Sequence, residues 1–168
     1  AIDAGEVTLL SPVKISAEAT QEPPSKMGYP AATVITLDTA LKILMVKSAN
    51  DVATAVGESL AGSEAAFAAR MNAEAKRLGM TGSHFVNAHG LHDDRQYTTA
   101  HDLAVLALAL RKQYPQHAGY FSVEAIGTAN DIIENHNTLI GRFAGADGMK
   151  TGYTCPAGYN LVASATRN

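Results

Sequence analysis

The chain has 168 residues, which is enough for one well-packed domain and too few for two of ordinary size. Its 46% hydrophobic and 17% charged residues are typical of a folded globular protein and argue against intrinsic disorder. A net charge of -3 without blocks of Lys and Arg argues against a nucleic-acid partner. No apolar run approaches the ~18 residues that a membrane-spanning helix needs.

Residues 1–30 are predicted to form mainly loops, because prolines and glycines punctuate them, with one short strand at residues 7–10. A first helix is predicted from the N-cap Thr36 to about Lys47. This helix is apolar on nearly every side, which is typical of a buried helix. Its main apolar stripe consists of Leu37, Leu41, Leu44 and Met45.

Three further helices are predicted, and each begins near a polar residue that can cap it. In the last of them, Asp102 lies three residues after the cap Thr99, which is the spacing of a capping box. The second helix runs from near Asp51 to Gly62, the third from the cap Ser63 to Gly79, and the fourth begins after Thr99.

Beyond Tyr114 the pattern changes to short strand-like runs separated by glycines. Helices come first and strands last, which favours an α+β fold over an alternating α/β fold. We predict a single domain, with about residues 1–125 mainly helical and about residues 126–168 rich in strands. The predicted strands lie at residues 132–133, 138–140, 149–154 and 160–165.

A polar break between the first two helices contains Ser48 and Asn50, spaced so that both side chains can project the same way. A hydroxyl can pass a proton, and an amide can both donate to and accept from a peptide group. The alternative is that Ser48 ends one helix and Asn50 or Asp51 caps the next, and the high frequency of such caps favours it when the break is considered alone.

A second candidate group is Lys150, Thr151 and Gly152, which follow a turn and begin an extended run. Lys150 supplies positive potential, Thr151 supplies a hydroxyl donor, and Gly152 lets another backbone approach closely. These properties suit a sheet edge that holds an anionic peptide end.

His89 and His92, with Asp93 or Asp94, raise the alternative of a metal-dependent hydrolase. Their spacing matches no recognised zinc pattern, and Gly90 argues against a helix that presents both rings. We therefore predict a solvated loop here and no metal site.

The single cysteine, Cys155, permits no internal disulfide. It could act as a nucleophile with His89 or His136 as its base. Nothing in the neighbouring sequence would activate a thiolate, so a small buried thiol is the favoured interpretation.

Ser48-Ala49-Asn50 and Lys150-Thr151-Gly152 together match two of the three signatures of penicillin-binding proteins and serine β-lactamases, in the right order. Residues 85–91, 98–104 and 157–165 agree with the same pattern. The chain resembles the low-molecular-mass D-alanyl-D-alanine carboxypeptidases, the penicillin-binding enzymes that trim peptidoglycan stem peptides, over almost its whole length.

The resemblance implies a helical subdomain packed on an antiparallel sheet, and an acyl-enzyme mechanism without a cofactor. Ser48 would relay a proton to the leaving amine, and Asn50 would bind the penultimate amide of the substrate. Lys150 would supply the positive field, Thr151 would bind the terminal carboxylate, and the strand at Gly152 would pair with the substrate backbone.

The resemblance also places His89 near the cleft, and it places His136 where several relatives carry an arginine. The implied partners are a peptidoglycan pentapeptide that ends in D-Ala-D-Ala and, as inhibitors, β-lactam antibiotics. The implied location is periplasmic or otherwise extracytoplasmic, in the cell envelope, with membrane association only through a tail outside this chain.

The third signature, Ser-x-x-Lys, has one literal match, Ser11-Pro12-Val13-Lys14, and no strong apolar stripe follows it. We therefore expect that Ser11 is not the nucleophile, that the chain begins just after the catalytic helix, and that it stops at Asn168 before a further strand and helix. By itself it is expected to be inactive. Two alternatives stay open: a fragment of an enzyme, or a non-catalytic peptidoglycan-binding relative.

Overall fold

The computed structural model describes residues 1–128 and 131–167, and the predicted end of the fold at Asn168 lies outside them. Two short 3-10 helices, Ala19–Gln21 and Pro115–Ser122, accompany the elements named next. In chain order these are β1 (Pro12–Lys14), β2 (Val34–Thr36), α1 (Leu37–Val46), α2 (Asn50–Ala61), α3 (Glu64–Leu78), α4 (Ala100–Gln113), β3 (Ala125–Gly127), β4 (Ile132–Glu134), β5 (Ala146–Thr154) and β6 (Gly158–Ala165).

The main core lies where α1 and α2 pack against each other and against the antiparallel strands β1 and β2. α1 begins as predicted, because the Thr36 side chain accepts a hydrogen bond from the Thr39 N–H. Ile43 and Val46, which lie outside the predicted stripe, are almost fully buried, so α1 is a buried helix. The core cluster consists of Val13, Ile15, Ala19, Leu37, Ala40, Ile43, Ala49, Val52, Ala55 and Val56.

The predicted side-chain caps of α3 and α4 are also present. The Ser63 side chain accepts from the Ala66 N–H, and the Thr99 side chain accepts from the Asp102 N–H. The predicted return bond of the capping box is wrong, because the Asp102 carboxylate accepts instead from the Gly82 N–H at 2.8 Å and the Ser83 hydroxyl at 2.7 Å. Asp102 therefore ties the loop before α4 to the helix.

The described strands form three two-stranded antiparallel sheets, β1–β2, β3–β4 and β5–β6. The predicted strand at residues 7–10 is wrong, since pairing with β2 begins only at Pro12. Residues 138–140 form a turn instead of a strand, because the Asn137 side chain accepts from the Leu139 N–H and the Asn137 carbonyl accepts from the Ile140 N–H.

A polar network fixes β5 and β6 against α4. The Asp147 carboxylate accepts from Arg111, Ser164 and Thr166 at 2.6 to 2.7 Å. Burial alone would raise the pKa of Asp147, but the hydrogen bonds from Thr166, Ser164 and Arg111 lower it. Strand β5 also packs closely on the 3-10 segment, since a Cβ at Gly148 would lie 2.9 Å from Cβ of Phe121. These contacts position the strand that carries Lys150.

Among the described residues, every helix is too short or too polar to span a lipid bilayer.

Candidate active site

Ser48 lies in the break between α1 and α2 with a backbone φ of 56°. This left-handed conformation is uncommon for a residue other than glycine and costs on the order of 1–3 kcal/mol, so it persists where the surroundings impose it. The predicted cap of α2 by Asn50 or Asp51 is wrong, because Ala49 is the N-cap and no side chain caps that end, but Ser48 does end α1, since it directly follows the C-cap Lys47. The strained backbone is therefore available to aim the Ser48 hydroxyl.

The segment before β2 holds Asn50 in place. The Asn50 side-chain amide donates to the Pro23 carbonyl at 2.8 Å, and its backbone N–H donates to the Ser25 carbonyl at 2.7 Å. The Ser25 hydroxyl donates in turn to the Lys47 carbonyl at 3.0 Å. Asn50 is 6% exposed, so its amide orientation is set by these bonds rather than by solvent.

Asp51, the next residue of α2, has no exposed surface and stabilises the start of this helix. Its carboxylate accepts from the backbone N–H groups of Met27 at 3.1 Å, Gly28 at 2.9 Å and Val52 at 2.9 Å. A buried carboxylate that accepts several N–H bonds fixes the loop that donates them. Asp51 therefore attaches the loop at Met27 and Gly28 to the start of α2.

Lys150 on β5 reaches the helical break directly. Its Nζ donates to Oγ of Ser48 at 3.0 Å and to the Thr151 carbonyl at 2.8 Å, so residues 102 positions apart in the chain are in contact. Burial lowers the pKa of Lys150. Because Oγ of Ser48 accepts from Nζ, its own hydrogen can be directed to another group. The pair can therefore pass a proton and stabilise a developing negative charge.

The strand positions after Lys150 leave room for a ligand. Thr151 pairs with Leu161 of β6 and Gly152 pairs with Asn160. A Cβ at Gly152 would meet no described atom within 4 Å, so packing within the described part of the chain does not require glycine there. The open space beside β5 suits the close approach of another backbone.

An apolar cavity of ≈ 580 Å³ begins at this contact, a volume in the range of small-molecule sites. All four residues of the predicted α1 stripe line it, and of these Leu37 also belongs to the core cluster, whereas Leu41, Leu44 and Met45 do not. At the polar end it is lined by Ser48, Asn50, His89 and Lys150.

His89 faces two carboxylates at the edge of this cavity. Its Nε2 lies 3.6 Å from Oε2 of Glu22 and 3.6 Å from Oε1 of Glu64. Although these three side chains are close enough to hold a metal ion, the Leu91 N–H donates to Nδ1 of His89 at 3.1 Å. In the neutral ring the hydrogen is then on Nε2, so this nitrogen offers no lone pair to a metal ion, and at 3.6 Å it faces the two carboxylates without a hydrogen bond.

The metal set considered from the sequence does not form. His92 lies beside Asp94 at 3.2 Å, and Asp93 is paired with Arg95 at 2.7 Å. The Asp94 side chain is 97% exposed. His89 points elsewhere, so His92 and the two aspartates form separate surface pairs.

Two further candidates from the sequence, Ser11 and Cys155, lie away from the contact between Ser48 and Lys150. Ser11 lies in a bend directly before β1, and the other three residues of its motif, Pro12–Lys14, form that strand. This confirms that Ser11-Pro12-Val13-Lys14 does not start a catalytic helix. Cys155 is exposed, contrary to the predicted buried thiol, because it lies in the turn beyond β5.

His136 lies within the field of two lysines. Partial burial, followed by the positive charges of Lys150 and Lys47, lowers its pKa. The charges of Lys150 and Lys47 therefore act at His136, and its lowered pKa favours the neutral ring at physiological pH.

Replacing Lys150 with methionine is expected to raise the His136 pKa towards the ordinary value of about 6.5. A neighbouring positive charge disfavours protonation of the imidazole, so removing that charge makes protonation easier. The measurement is an NMR titration of the ring protons. Lys112→Met, at an exposed position on α4, should leave the titration unchanged. An unchanged midpoint in Lys150→Met would contradict the proximity of these two groups.

Sequence reasoning missed the supporting residues Glu22, Glu64 and Asp51, and it did not assign Pro23 and Ser25 to the site. The partners lie more than 20 positions from one another in the chain, from 22 positions for Ser25 and Lys47 to 32 positions for Glu22 and Thr54, in segments without a shared motif. The one available signal was Asp51, an acidic residue in the first turn of α2 directly before the apolar residue Val52.

The chain is similar to known proteins over its whole length. A family model described as D-alanyl-D-alanine carboxypeptidase matches residues 1–168. The chain is 33% identical over 178 residues to a D-alanyl-D-alanine carboxypeptidase, DacF, of Bacillus subtilis, covering 99% of this chain and 44% of the relative.

Solved structures are similar as well. The carboxypeptidase DacD of Francisella tularensis superposes with a TM-score of 0.93 at 29% identity, covering 99% of this chain and 53% of that one. Penicillin binding protein 5 of Haemophilus influenzae gives 0.92 at 30% identity, covering 99% and 49%. The chain thus spans about half the length of these proteins, and the predicted α+β fold class is confirmed.

Proposed function

The chain belongs to the D-alanyl-D-alanine carboxypeptidase family, as the two sequence motifs predicted, and on this premise we propose that it forms two walls of a serine-type D-Ala-D-Ala carboxypeptidase site. The observation that carries the proposal is the 3.0 Å bond from Nζ of Lys150 to Oγ of Ser48. That bond joins the Ser-x-Asn motif to the Lys-Thr-Gly motif.

In the proposed reaction, a serine attacks the carbonyl between the last two D-alanines, and water later hydrolyses the acyl-enzyme. Ser48, oriented by Lys150, relays a proton to the leaving amine. Asn50 binds the penultimate amide of the substrate. Thr151 binds the terminal carboxylate, and the β5 backbone at Gly152 pairs with the substrate.

Two histidines have secondary roles in this proposal. His89 keeps the loop before His92 attached to Glu22 and Glu64, at the edge of the apolar cavity. His136 adds positive charge near the substrate carboxylate only when it is protonated, and its lowered pKa restricts that contribution to acidic pH.

The attacking serine is proposed to come from a segment outside this chain. Ser48 is the one serine among the described residues that line the apolar cavity, and it already accepts a bond from Lys150. The apolar α1 stripe that faces the cavity suits a buried helix that brings a serine and its lysine base to the polar end.

The 168-residue chain alone is therefore expected to form no covalent adduct with a penicillin. Intact-mass spectrometry checks this, because acylation adds the whole mass of the antibiotic. A protein that joins this chain to an upstream Ser-x-x-Lys segment should gain one equivalent, on the serine of that segment. An adduct on Ser11 or Ser48 of the short chain would overturn the assignment.

The proposed substrate is a peptidoglycan pentapeptide that ends in D-Ala-D-Ala, and β-lactams are proposed to acylate the same serine. The proposed location is extracytoplasmic, where this polymer is accessible, with any membrane association through a further tail. The non-catalytic alternative is favoured if the longer protein binds such peptides without reacting with penicillin.

A further inference from the structure

The segment of residues 22–28, which precedes β2, runs along the start of α2. In the first turn of α2, the Asn50 N–H and the Asp51 carboxylate are bonded to backbone groups of this segment. In the second turn, Oγ1 of Thr54 donates to Oε1 of Glu22 at 2.9 Å, across 32 positions of the chain. This bond attaches the beginning of the segment to α2.

The Thr54 hydroxyl depends on Glu22 as its acceptor. Thr54 is 1% exposed, so its hydroxyl has to be satisfied by a protein group rather than by bulk water. The other nearby acceptor, Oε1 of Glu64, lies at 3.5 Å, beyond the usual O–H···O range of about 2.5–3.0 Å. Hydrogen bonds to a carboxylate are stronger than those between neutral groups. The buried hydroxyl therefore sets the position of the Glu22 side chain.

Glu22 directly precedes the residue that orients Asn50. The Asn50 amide donates to the Pro23 carbonyl at 2.8 Å. Asn50 and Thr54 are four residues apart on α2, so they lie on the same face and bind two consecutive residues of the segment. A displacement of Glu22 moves the Pro23 carbonyl, because a planar peptide unit joins the two residues and the proline ring fixes φ.

We propose that Glu22 is a positioning residue for Asn50. The bond from Thr54 to Glu22 holds the Pro23 carbonyl in the place where it orients the Asn50 amide. The inference rests on the proposed function, in which Asn50 binds the penultimate amide of the substrate, and it adds a residue that acts through Asn50 and not on the substrate. His89 also faces Glu22, but at 3.6 Å it forms no hydrogen bond, so the role belongs to the bond from Thr54.

The first test compares Thr54→Val, which keeps the side-chain shape and removes the hydroxyl, with Thr54→Ser, which keeps the hydroxyl. NMR spectra of the 168-residue chain report the side-chain amide of Asn50, whose bonded proton is shifted downfield by its acceptor. In Thr54→Val and in Glu22→Ala this proton should move upfield. In Thr54→Ser it should stay near its position in the parent protein.

The second test uses the protein that joins this chain to a nucleophile-bearing segment. It compares acylation by a penicillin that carries an acylamino side chain with acylation by the same nucleus carrying a free amine. The acylamino group takes the place of the amide that Asn50 binds, and the free amine does not. Glu22→Ala and Thr54→Val should each slow acylation by the first compound about tenfold, the effect of one hydrogen bond, and by the second less than about twofold. Thr54→Ser should react like the parent.

Two further variants separate positioning from general stability. The double variant of Glu22→Ala with Thr54→Val should lose no more than either single variant, because both changes break the same bond. Asp102→Ala is the matched control, since Asp102 is 2% exposed and its carboxylate likewise bonds a neighbouring loop, at Gly82 and Ser83. It should lower the midpoint of urea unfolding and leave the ratio of the two acylation rates unchanged.

Equal slowing with both compounds, or a parent-like ratio in Thr54→Val, would overturn the proposal. If Glu22→Ala does not fold, the two Thr54 variants decide by themselves. If the joined protein reacts with neither compound, the proposed function fails instead, and the NMR comparison decides the positioning role. An Asn50 shift in Thr54→Val that is absent in Thr54→Ser then supports this role, and unchanged Asn50 resonances in Thr54→Val refute it.

Discussion

In a protein that joins this chain to a nucleophile-bearing segment, Lys150→Ala is expected to slow β-lactam acylation about 100- to 1000-fold, the usual effect of removing one group that stabilises developing charge. Lys150 is the group that orients Ser48, through the bond from its Nζ to Oγ. Without it, the hydroxyl loses both its orientation and the positive field. Stopped-flow acylation with a chromogenic cephalosporin measures the rate.

The loss should arise from chemistry and not from unfolding. Burial lowers the pKa of Lys150, the direction expected where the surroundings disfavour an ammonium charge. Lys150→Met, which should acylate as slowly as Lys150→Ala, should therefore unfold no more easily than the parent. Lys112→Ala, on the exposed side of α4, serves as the matched control and should acylate normally. Undiminished acylation in Lys150→Ala would refute the role given to this residue.

Asp51→Ala is expected to lower the free energy of unfolding by about 3–5 kcal/mol. The carboxylate has no exposed surface and accepts from the N–H groups of Met27 and Gly28, which the substitution leaves without partners. Removing one partner of a buried bond adds the cost of the unpaired group to the lost interaction. Urea denaturation followed by circular dichroism measures the change.

Asp94→Ala is the control for that experiment, since the Asp94 side chain is 97% exposed, and its midpoint should match the parent. A midpoint of Asp51→Ala equal to that of the control would show that the loop at Met27 and Gly28 is held by other contacts.

Features that depend on neighbouring residues were predictable. The caps at Thr36, Ser63 and Thr99 each accept an N–H from three residues further along the chain. Hydrogen bonds between residues three positions apart depend on only a few side chains, so the residue types predict them. The left-handed glycines that end α2 and α3 follow from the same local rule.

Features that depend on distant partners were not predictable in the same way. The strand at Pro12–Lys14 forms because residues 34–36 pair with it, although residues 7–10 have the more strand-like composition. The carboxylate of Asp102 has a helix-cap spacing but bonds Gly82 and Ser83 across the loop. In both cases a tertiary contact outweighs the local preference.

The sequence by itself determined the family, the Ser-x-Asn and Lys-Thr-Gly motifs of the proposed site and the ends of the helices, because motifs and caps depend on short runs of residue types. Only the tertiary structure decided that Lys150 donates to Ser48 and that His89 faces Glu22 and Glu64. These contacts join segments separated by tens of residues. Their geometry depends on how α1, α2 and β5 pack, and no local pattern encodes that packing.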